Sequence, residues 1–231
     1  MKISLCLLTL NELTGCKNDV PRIRKIAKKF EEIYTVDGGS KDGTVEYLKT
    51  QNIPVYAQAK PGLNEAYRCA IEHCSTDAIV FFHPKGSIPV KDVLKFRKLF
   101  QYGFDVIIGS RIIKGSKNDE DTRFFKPRKW CTVALSIVAA LLYKRKGPII
   151  WDVLHGFRGI TIKAYTLLDI KDPGSVTIDI EMISRLYKKG LRCIEFPTTE
   201  SPRLANESHF KTIPTGINII EYLVRELMRT D

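Results

Sequence analysis

The segment Asp37-Gly38-Gly39-Ser40 combines a carboxylate, two adjacent glycines and a hydroxyl group directly after an apolar run. Glycine permits positive φ angles and a close approach of the backbone to a ligand, and successive backbone N–H groups attract phosphate oxygens. The Asp37 carboxylate can accept hydrogen bonds from a ribose hydroxyl or a base N–H. The same pattern occurs where a strand turns into a helix capped by Ser40 or Asp42, so alone it is a weak sign of a nucleotide site.

Further polar segments follow other apolar runs. They are Thr9-Leu10-Asn11-Glu12, Lys60-Pro61-Gly62-Leu63-Asn64-Glu65-Ala66, His83-Pro84-Lys85-Gly86, Gly109-Ser110-Arg111 and Gly156-Phe157-Arg158, with Arg203 later in the chain. Their amide, carboxylate, ammonium and guanidinium groups are suited to bind hydroxyls and phosphates. What they can do together depends on the elements that position them.

Those elements are short apolar runs that alternate with helical patterns. The strand candidates are Ile3–Leu8, Glu32–Val36, Pro54–Ala57, Ala78–Phe82 and Val106–Gly109. Strand–helix alternation predicts an α/β fold with a mainly parallel, twisted sheet and helices on both faces. Because the ligand crevice of such a sheet lies at the carboxyl ends of its strands, we expect the polar segments to meet at one edge.

We expect one domain over residues 1–231, in which residues 1–115 form a first half and residues 116–231 a second. The second half begins with a basic and apolar insertion at 116–148. A helix over Ile178–Lys189, ended by Gly190, and a strand near Cys193–Pro197 follow. The chain then forms an amphipathic helix, Ile217–Met228, for which packing on the core is slightly favoured over membrane contact.

The composition excludes a disordered or fibrous protein, because 44% of the 231 residues are hydrophobic. The apolar run at the N-terminus is too short for a secretory signal, and the longest charge-free stretch, Trp130–Tyr143, falls short of the roughly 20 residues that a spanning helix needs. Six cysteines without Cys-x-x-Cys spacing indicate a reducing, cytoplasmic compartment.

The net charge of +11 points to an anionic partner, and the excess is local: Arg111 to Lys146 contains ten basic and three acidic residues. These basic residues flank an apolar run instead of interleaving with exposed aromatic residues. Nucleic acid is therefore not the expected partner.

Taken in order, the polar segments resemble the inverting GT-A glycosyltransferases of family 2, in particular the branch of dolichyl-phosphate mannosyltransferases. The resemblance covers Ile3 to about Phe210. It implies a nucleotide-diphospho-sugar transferase fold, with residues 1–115 binding the donor and residues 116–231 binding the acceptor. It also implies an enzyme that transfers a hexose, with inversion, from a nucleotide-diphospho-sugar to an acceptor, most plausibly a polyprenyl phosphate used in cell-envelope glycans.

The resemblance assigns roles residue by residue. It implies that the nucleoside and its turn are held by Thr9, Asn11, Glu12, Asp37, Gly39 and Ser40, with Gly62 and Asn64 closing over them. Arg111 and Arg203 would face the phosphates. Asp152 matches the acidic residue near the sugar and acceptor, and Asp179 and Glu181 match an acidic pair on the following helix.

One segment departs from the family. Where its members have Asp-x-Asp after the fourth strand, to hold a divalent metal on the donor diphosphate, this chain reads His83-Pro84-Lys85. The oxygen ligands that Mg²⁺ or Mn²⁺ prefers are missing there, so we predict no metal site at this segment, although such a metal remains possible elsewhere. Our hypothesis is that the Lys85 ammonium replaces the metal as an electrostatic clamp on the leaving diphosphate. The alternative is a solvated loop lysine in a protein that binds sugar nucleotides without turnover.

The basic insertion suits a membrane-bound acceptor. Arg128 and Lys129 precede the apolar run, Trp130 lies at its start, and Lys144 and Arg145 follow it. Such a helix can lie in the headgroup plane of a membrane, which predicts peripheral attachment at the inner face of the cytoplasmic membrane. A buried core helix with solvated flanks is the alternative, and a soluble transferase that acts on a saccharide hydroxyl is a further one. A homo-oligomer is also possible.

Overall fold

The computed structural model describes residues 1–122, 124–172, 176–205 and 212–229, the last range without the side chains of 212–214. Within these ranges, seven strands form one sheet in the order β3-β2-β1-β4-β6-β5-β7. The strands are β1 (Ile3–Thr9), β2 (Glu32–Asp37), β3 (Val55–Ala57), β4 (Ala78–Phe82), β5 (Val106–Ser110), β6 (Arg158–Thr161) and β7 (Cys193–Pro197). All neighbours pair in parallel except β6, which is antiparallel to β4 and β5. The predicted α/β fold with a mainly parallel sheet is confirmed.

Helices cover both faces of the sheet. They are α1 (Leu13–Ile26), α2 (Thr44–Thr50), α3 (Leu63–Glu72), α4 (Val93–Gln101), α5 (Pro127–Tyr143), α6 (Ile162–Leu168), α7 (Ile178–Lys189) and α8 (Thr212–Met228). Side chains of α1, α2 and α4 pack in one apolar cluster, and those of α3, α5, α6, α7 and α8 pack in the other. Along β1, Cys6 and Leu8 enter one cluster while Leu5 and Leu7 enter the other, as the two-residue period of a strand requires.

Strand β6 and helix α6 are absent from the sequence predictions. The strand has only four residues, and its middle residue Gly159 leaves room for aromatic rings: a Cβ there would lie 2.8 Å from Phe96 and 2.9 Å from Phe100. Because β6 lies between β4 and β5, the two halves of the chain share one sheet. Its antiparallel direction places its first residue, Arg158, at the edge where the parallel strands end.

The predicted strands and the predicted helix α7 have the boundaries seen in the structure to within one residue. Helix α8 begins earlier than predicted, at Thr212. No helix among the described ranges is both long and apolar enough to cross a membrane.

Candidate active site

The turn after β2 is organised by Asp37. Its Oδ1 accepts the backbone N–H groups of Gly39 (2.9 Å) and Ser40 (2.8 Å), and its Oδ2 accepts the hydroxyls of Thr9 (2.7 Å) and Ser40 (2.6 Å). Gly39 has a φ of +94°, a conformation that residues with a Cβ rarely adopt. The structure thus brings Thr9, Asp37, Gly39 and Ser40 together at the carboxyl ends of β1 and β2.

Asn11 joins this turn from the β1 side. It has a φ of +54°, its backbone N–H donates to Ser40 Oγ (2.8 Å), and its side-chain oxygen accepts the Lys41 N–H (2.8 Å). The next residue, Glu12, is buried and its N–H donates to Thr44 Oγ1 (3.0 Å). The loops after β1 and β2 therefore form one hydrogen-bonded rim.

Gly62 and Asn64 lie at the start of α3. Gly62 has a φ of +119° and precedes the helix. Asn64 is buried and bonds to the start of α7: its oxygen accepts the Ile178 N–H (2.8 Å) and its amide donates to Thr177 Oγ1 (2.9 Å). In this structure Asn64 thus ties α3 to α7, and its predicted closure over a nucleoside stays a prediction.

The loop that carries Lys85 is held from three sides. Gly15 of α1 packs so closely that a Cβ there would lie 2.0 Å from the Pro84 carbonyl oxygen. Asp19 of the same helix accepts the Gly86 N–H (2.9 Å). The Leu204 side chain covers Gly86, where a Cβ would lie 2.3 Å from a Leu204 methyl carbon. This packing fixes the position of the Lys85 backbone after β4.

Arg111, directly after β5, is bound by two carboxylates. Its Nε and Nη2 donate to the two oxygens of Asp152 (2.9 and 2.8 Å), and its Nη1 donates to Glu200 (2.8 Å). The buried Asp152 also accepts the Arg111 backbone N–H (2.8 Å). The guanidinium counteracts the effect of burial and holds the pKa of Asp152 at about 2. Three of the five N–H groups of the guanidinium are thereby used.

Arg203 forms an ion pair with Glu12 across the same crevice. The site thus contains three cations, Lys85, Arg111 and Arg203. It also contains three carboxylates, Glu12, Asp152 and Glu200. Among the described residues, no carboxylate lies within ion-pair distance of the Lys85 ammonium. Burial, followed by the charges of Arg203 and Arg111, lowers the pKa of Lys85 to about 8, although Glu12 and Glu200 oppose this. Lys85 is still mostly charged at neutral pH.

The floor of the site contains Arg158 and Asp179. Arg158 is fully buried, and its Nη2 lies 3.1 Å from the Asp179 carboxylate. The Tyr67 hydroxyl donates to the same carboxylate (3.2 Å). Burial raises the pKa of Asp179 despite the neighbouring guanidinium. His155 bonds to the Gly109 carbonyl, and burial lowers its pKa to about 4, so it is neutral.

A sequence profile identifies the family. The profile of "Glycosyl transferase family 2" matches residues 4–166, more than half of the chain. The chain belongs to glycosyl transferase family 2. The predicted family is confirmed, and the matched part includes Lys85, Arg111 and Asp152 but ends before Glu200 and Arg203.

Three curated relatives share 24–26% of their residues with this family 2 chain. Glycosyltransferase AglJ of Haloferax volcanii is 26% identical over 87% of the chain, and dolichyl-phosphate hexose transferase of the same organism is 24% identical over 96%. Dolichol-phosphate mannosyltransferase of Pyrococcus furiosus is 26% identical over 96%. The chain spans 64%, 92% and 62% of these three relatives, respectively.

Solved structures share the fold at lower identity. Glucosyl-3-phosphoglycerate synthase from Mycobacterium tuberculosis, in complex with Mn²⁺, UDP and phosphoglyceric acid, superposes with a TM-score of 0.73 at 16% identity. The match covers all of this chain and 80% of the synthase. The likeness supports the predicted GT-A fold.

The residues of this family 2 chain do not fit a divalent metal at the expected position. His83, Pro84 and Lys85 occupy the place of two carboxylates, and burial beside Lys85 lowers the pKa of His83. In the described part of the chain, no group of three or more His, Cys, Asp or Glu side chains is arranged to hold a metal. A positively charged ammonium at this position also repels a cation.

Glu200 is the site residue that sequence reasoning missed. It lies three residues beyond the end of β7, at the same sheet edge as the other segments. The rule that located those segments, which is to examine the residues that follow each strand, would also have found Glu200. Asp19 and Gly15, by contrast, lie within α1 and carry no sequence signal for their contacts with the Lys85 loop.

The two flanks of α5 differ. On the N-terminal side, Arg128 pairs with Glu120 (3.0 Å) and Lys129 with Asp121 (2.6 Å). On the C-terminal side, neither Lys144 nor Arg145 forms an ion pair with a described carboxylate. Part of the predicted basic surface is therefore neutralised within the protein, and the unpaired charge lies near the end of the helix.

Proposed function

We propose that this chain transfers a hexose from a nucleotide-diphospho-sugar to a polyprenyl phosphate, with inversion at C1 of the sugar. The acceptor phosphate oxygen forms a bond to C1 while the bond from C1 to the diphosphate oxygen breaks. The electron pair leaves with the nucleoside diphosphate. The family membership and the two dolichyl-phosphate-dependent relatives support this proposal.

The observation that carries the proposal is the Lys85 ammonium. Its loop is fixed by α1 and Leu204, its neighbours Arg111 and Arg203 are already paired with carboxylates, and its own charge has no carboxylate partner among the described residues. Charge that develops on the leaving diphosphate would be stabilised by a cation fixed in advance at this position. Lys85 therefore takes the place of the metal, and Arg203 assists if the incoming phosphates displace Glu12.

The choice of a phosphate acceptor rests on whether the carboxylates of the site can act as a general base. A hydroxyl acceptor needs a general base, whereas a phosphate monoester is already largely ionised at neutral pH, because its second pKa is near 6. Asp152 is held by Arg111 and has a pKa of about 2, which makes it a poor base. Glu181 accepts the backbone N–H groups of Lys171 (2.9 Å) and Asp172 (3.1 Å) and is fully buried. An ionised phosphate acceptor, which needs no base, fits a site in which Asp152 and Glu181 are engaged in this way.

Exposed apolar residues on α5 and α8 support attachment to a membrane. Side chains of α5 such as Ala139 and Ala140 are buried, but Leu141 on its outer side is 80% exposed. Phe124, just before the helix, is fully exposed, and the Phe125 and Trp130 rings stack edge to face 5.0 Å apart. The helix is therefore partly core and partly surface. We infer peripheral contact with the cytoplasmic face of the membrane, where the acceptor would lie.

Two other functions use the same fold. A protein that binds sugar nucleotides without turnover would keep the turn at Asp37 and lose only the chemistry. A soluble transferase would act on a saccharide hydroxyl and would need Asp179, whose raised pKa suits a base better than that of Asp152.

Thermal unfolding in the presence of nucleotide-sugars tests donor binding. A ligand at 100 times its Kd stabilises the protein by about 2.7 kcal/mol, which is enough to detect as a shift in melting temperature. Each donor is added with Mn²⁺ and, separately, with EDTA. We expect one donor to raise the melting temperature equally in both conditions. Stabilisation only with Mn²⁺ would contradict the role of Lys85, and no stabilisation by any donor would contradict the transferase proposal.

Transfer is then measured with the donor that binds. Polyprenyl phosphate, the corresponding unphosphorylated polyprenol and simple saccharides serve as acceptors. We expect product with polyprenyl phosphate alone. Product with a saccharide in the absence of lipid would favour the soluble transferase, and donor binding without any product would favour the silent binder.

A further inference from the structure

A basic cleft lies where three helices end, away from the candidate active site. It is formed by Lys144 and Arg145 after α5, Lys188 and Lys189 at the end of α7, and Leu227 and Arg229 at the end of α8, and it encloses about 430 Å³. Helix α7 begins beside the active site, where its first residue Ile178 bonds to Asn64. Its 12 residues span about 18 Å, so the cleft lies toward the opposite edge of the sheet.

The cleft has more positive charge than its own carboxylates neutralise. Lys188 pairs with Glu226 (2.8 Å) and Arg229 with Asp169 (3.4 Å). Among the described residues, Lys144, Arg145 and Lys189 have no carboxylate within ion-pair distance. Basic side chains do compensate the negative C-terminal ends of helices, but helix ends carry only about half a unit charge each and lose their effect within one turn. Cationic donors thus remain for an anion.

The rim of the cleft is apolar. Leu142 and Leu227 both line it, and both are exposed. Each belongs to a set of exposed apolar residues on its helix: Ile137, Val138 and Leu141 on α5, and Ile217, Ile220, Val224 and Met228 on α8. The Tyr143 hydroxyl, bonded to the Leu223 carbonyl, joins the two helices at this end. A basic pocket bordered by two outward-facing apolar surfaces matches a ligand with a charged head and hydrocarbon chains.

We infer that this cleft binds the phosphate headgroup of an anionic lipid, while the apolar residues at its rim contact the acyl chains. Its volume is within the range of small-ligand pockets. The inference deepens the proposed membrane attachment by adding a lipid site that is separate from the site of transfer. Bound lipid would fix the orientation of the active-site crevice relative to the membrane.

The test measures binding of the whole chain to vesicles by sedimentation. Vesicles of phosphatidylcholine alone are compared with vesicles of phosphatidylcholine and phosphatidylserine. The cleft variant carries Arg145→Gln and Lys189→Gln. The matched control carries Lys25→Gln and Lys49→Gln, two exposed lysines of α1 and α2 on the other face of the sheet. Thermal unfolding of both variants verifies that they are folded.

We expect the cleft variant to bind phosphatidylserine vesicles about thirtyfold more weakly than the original chain, since each basic residue near an anionic surface contributes roughly a fivefold change in affinity. The control should change by less than twofold. Equal losses in both variants would mean that only the overall charge matters and would overturn the proposal. Because no transfer is measured, failure here is distinguishable from failure of the proposed transferase activity.

Two further measurements distinguish an anionic lipid from other possible occupants of the cleft. Isothermal calorimetry with inorganic phosphate tests for a soluble ligand: if the cleft variant loses phosphate binding but still binds vesicles normally, the lipid proposal is overturned. Sedimentation velocity tests for a second copy of the chain. A dimer that the cleft variant dissociates, together with unchanged vesicle binding, would assign the cleft to self-association and equally overturn the proposal.

Discussion

Replacing Lys85 by alanine should abolish most of the catalytic power without unfolding the protein. An ammonium about 4 Å from a phosphate oxygen contributes about 4 kcal/mol at an effective dielectric constant near 20, which corresponds to roughly a thousandfold in rate. Removal of a single electrostatic group from an active site costs about a hundredfold to a thousandfold in kcat. We expect a loss in kcat of that size for Lys85→Ala, in the presence of EDTA, with polyprenyl phosphate as acceptor.

The pH dependence separates this role from a structural one. Lys85 must be protonated to act, and burial together with Arg203 and Arg111 places its pKa at about 8. The value of kcat/KM should therefore fall about tenfold per unit above pH 8, as the free enzyme loses the proton. A separate decline is expected below about pH 6, where the acceptor phosphate takes up a proton. Lys85→Arg retains a charge that does not titrate in this range and should remove the alkaline decline while keeping part of the activity.

Lys91→Ala is the matched control, because Lys91 is an exposed lysine on the same connection between β4 and α4. It should leave both kcat and the pH profile unchanged. Full turnover of Lys85→Ala, together with activity that EDTA does not affect, would refute the lysine clamp. The same pH profile for the original chain and for Lys85→Arg would refute it as well.

Three other predictions concern residues that surround Lys85 in the candidate active site. Asp152→Asn leaves the guanidinium of Arg111 without its closest carboxylate and should lower the free energy of unfolding in urea by about 3–5 kcal/mol. In the original chain this carboxylate stabilises the fold above about pH 4, and roughly 2 kcal/mol should be lost as the pH falls to about 2, because its pKa is lower in the folded state. Gly15→Ala should lower the free energy of unfolding by about 1–3 kcal/mol and weaken donor binding by displacing the Lys85 loop. Gly216→Ala, also in a helix but with no described atom within 4 Å of the added Cβ, should be neutral or stabilising. Asp179→Asn should retain transfer to polyprenyl phosphate within about tenfold, and a loss beyond about a thousandfold would identify a general base and a hydroxyl acceptor.

Strand positions followed from the sequence because they depend on local patterns. Apolar runs such as Ala78–Phe82 and Val106–Gly109 are buried in the structure as continuous strands, and their alternation with helices determines a mainly parallel sheet. The carboxyl-end rule then located Asp37, Lys85 and Arg111 at one edge without any coordinates. The family followed from the order of these segments along the chain.

Strand β6 and the partners of the charged residues required the tertiary structure. Four residues with a central glycine have no distinctive period, so β6 depends on the space between β4 and β5. Likewise, Glu200 lies 89 positions from Arg111 in the sequence, and only the fold brings them to 2.8 Å.

Helix α5 shows the same division. Its sequence from Trp130 to Tyr143 is free of charged residues and determines a helix, but which of its sides is buried depends on where α7 and α8 pack against it. Sequence fixes the chemistry that each residue can perform, because that chemistry resides in the side chain. Burial, charge pairing and the resulting pKa values depend on neighbours that are distant in sequence, so only the folded chain decides them.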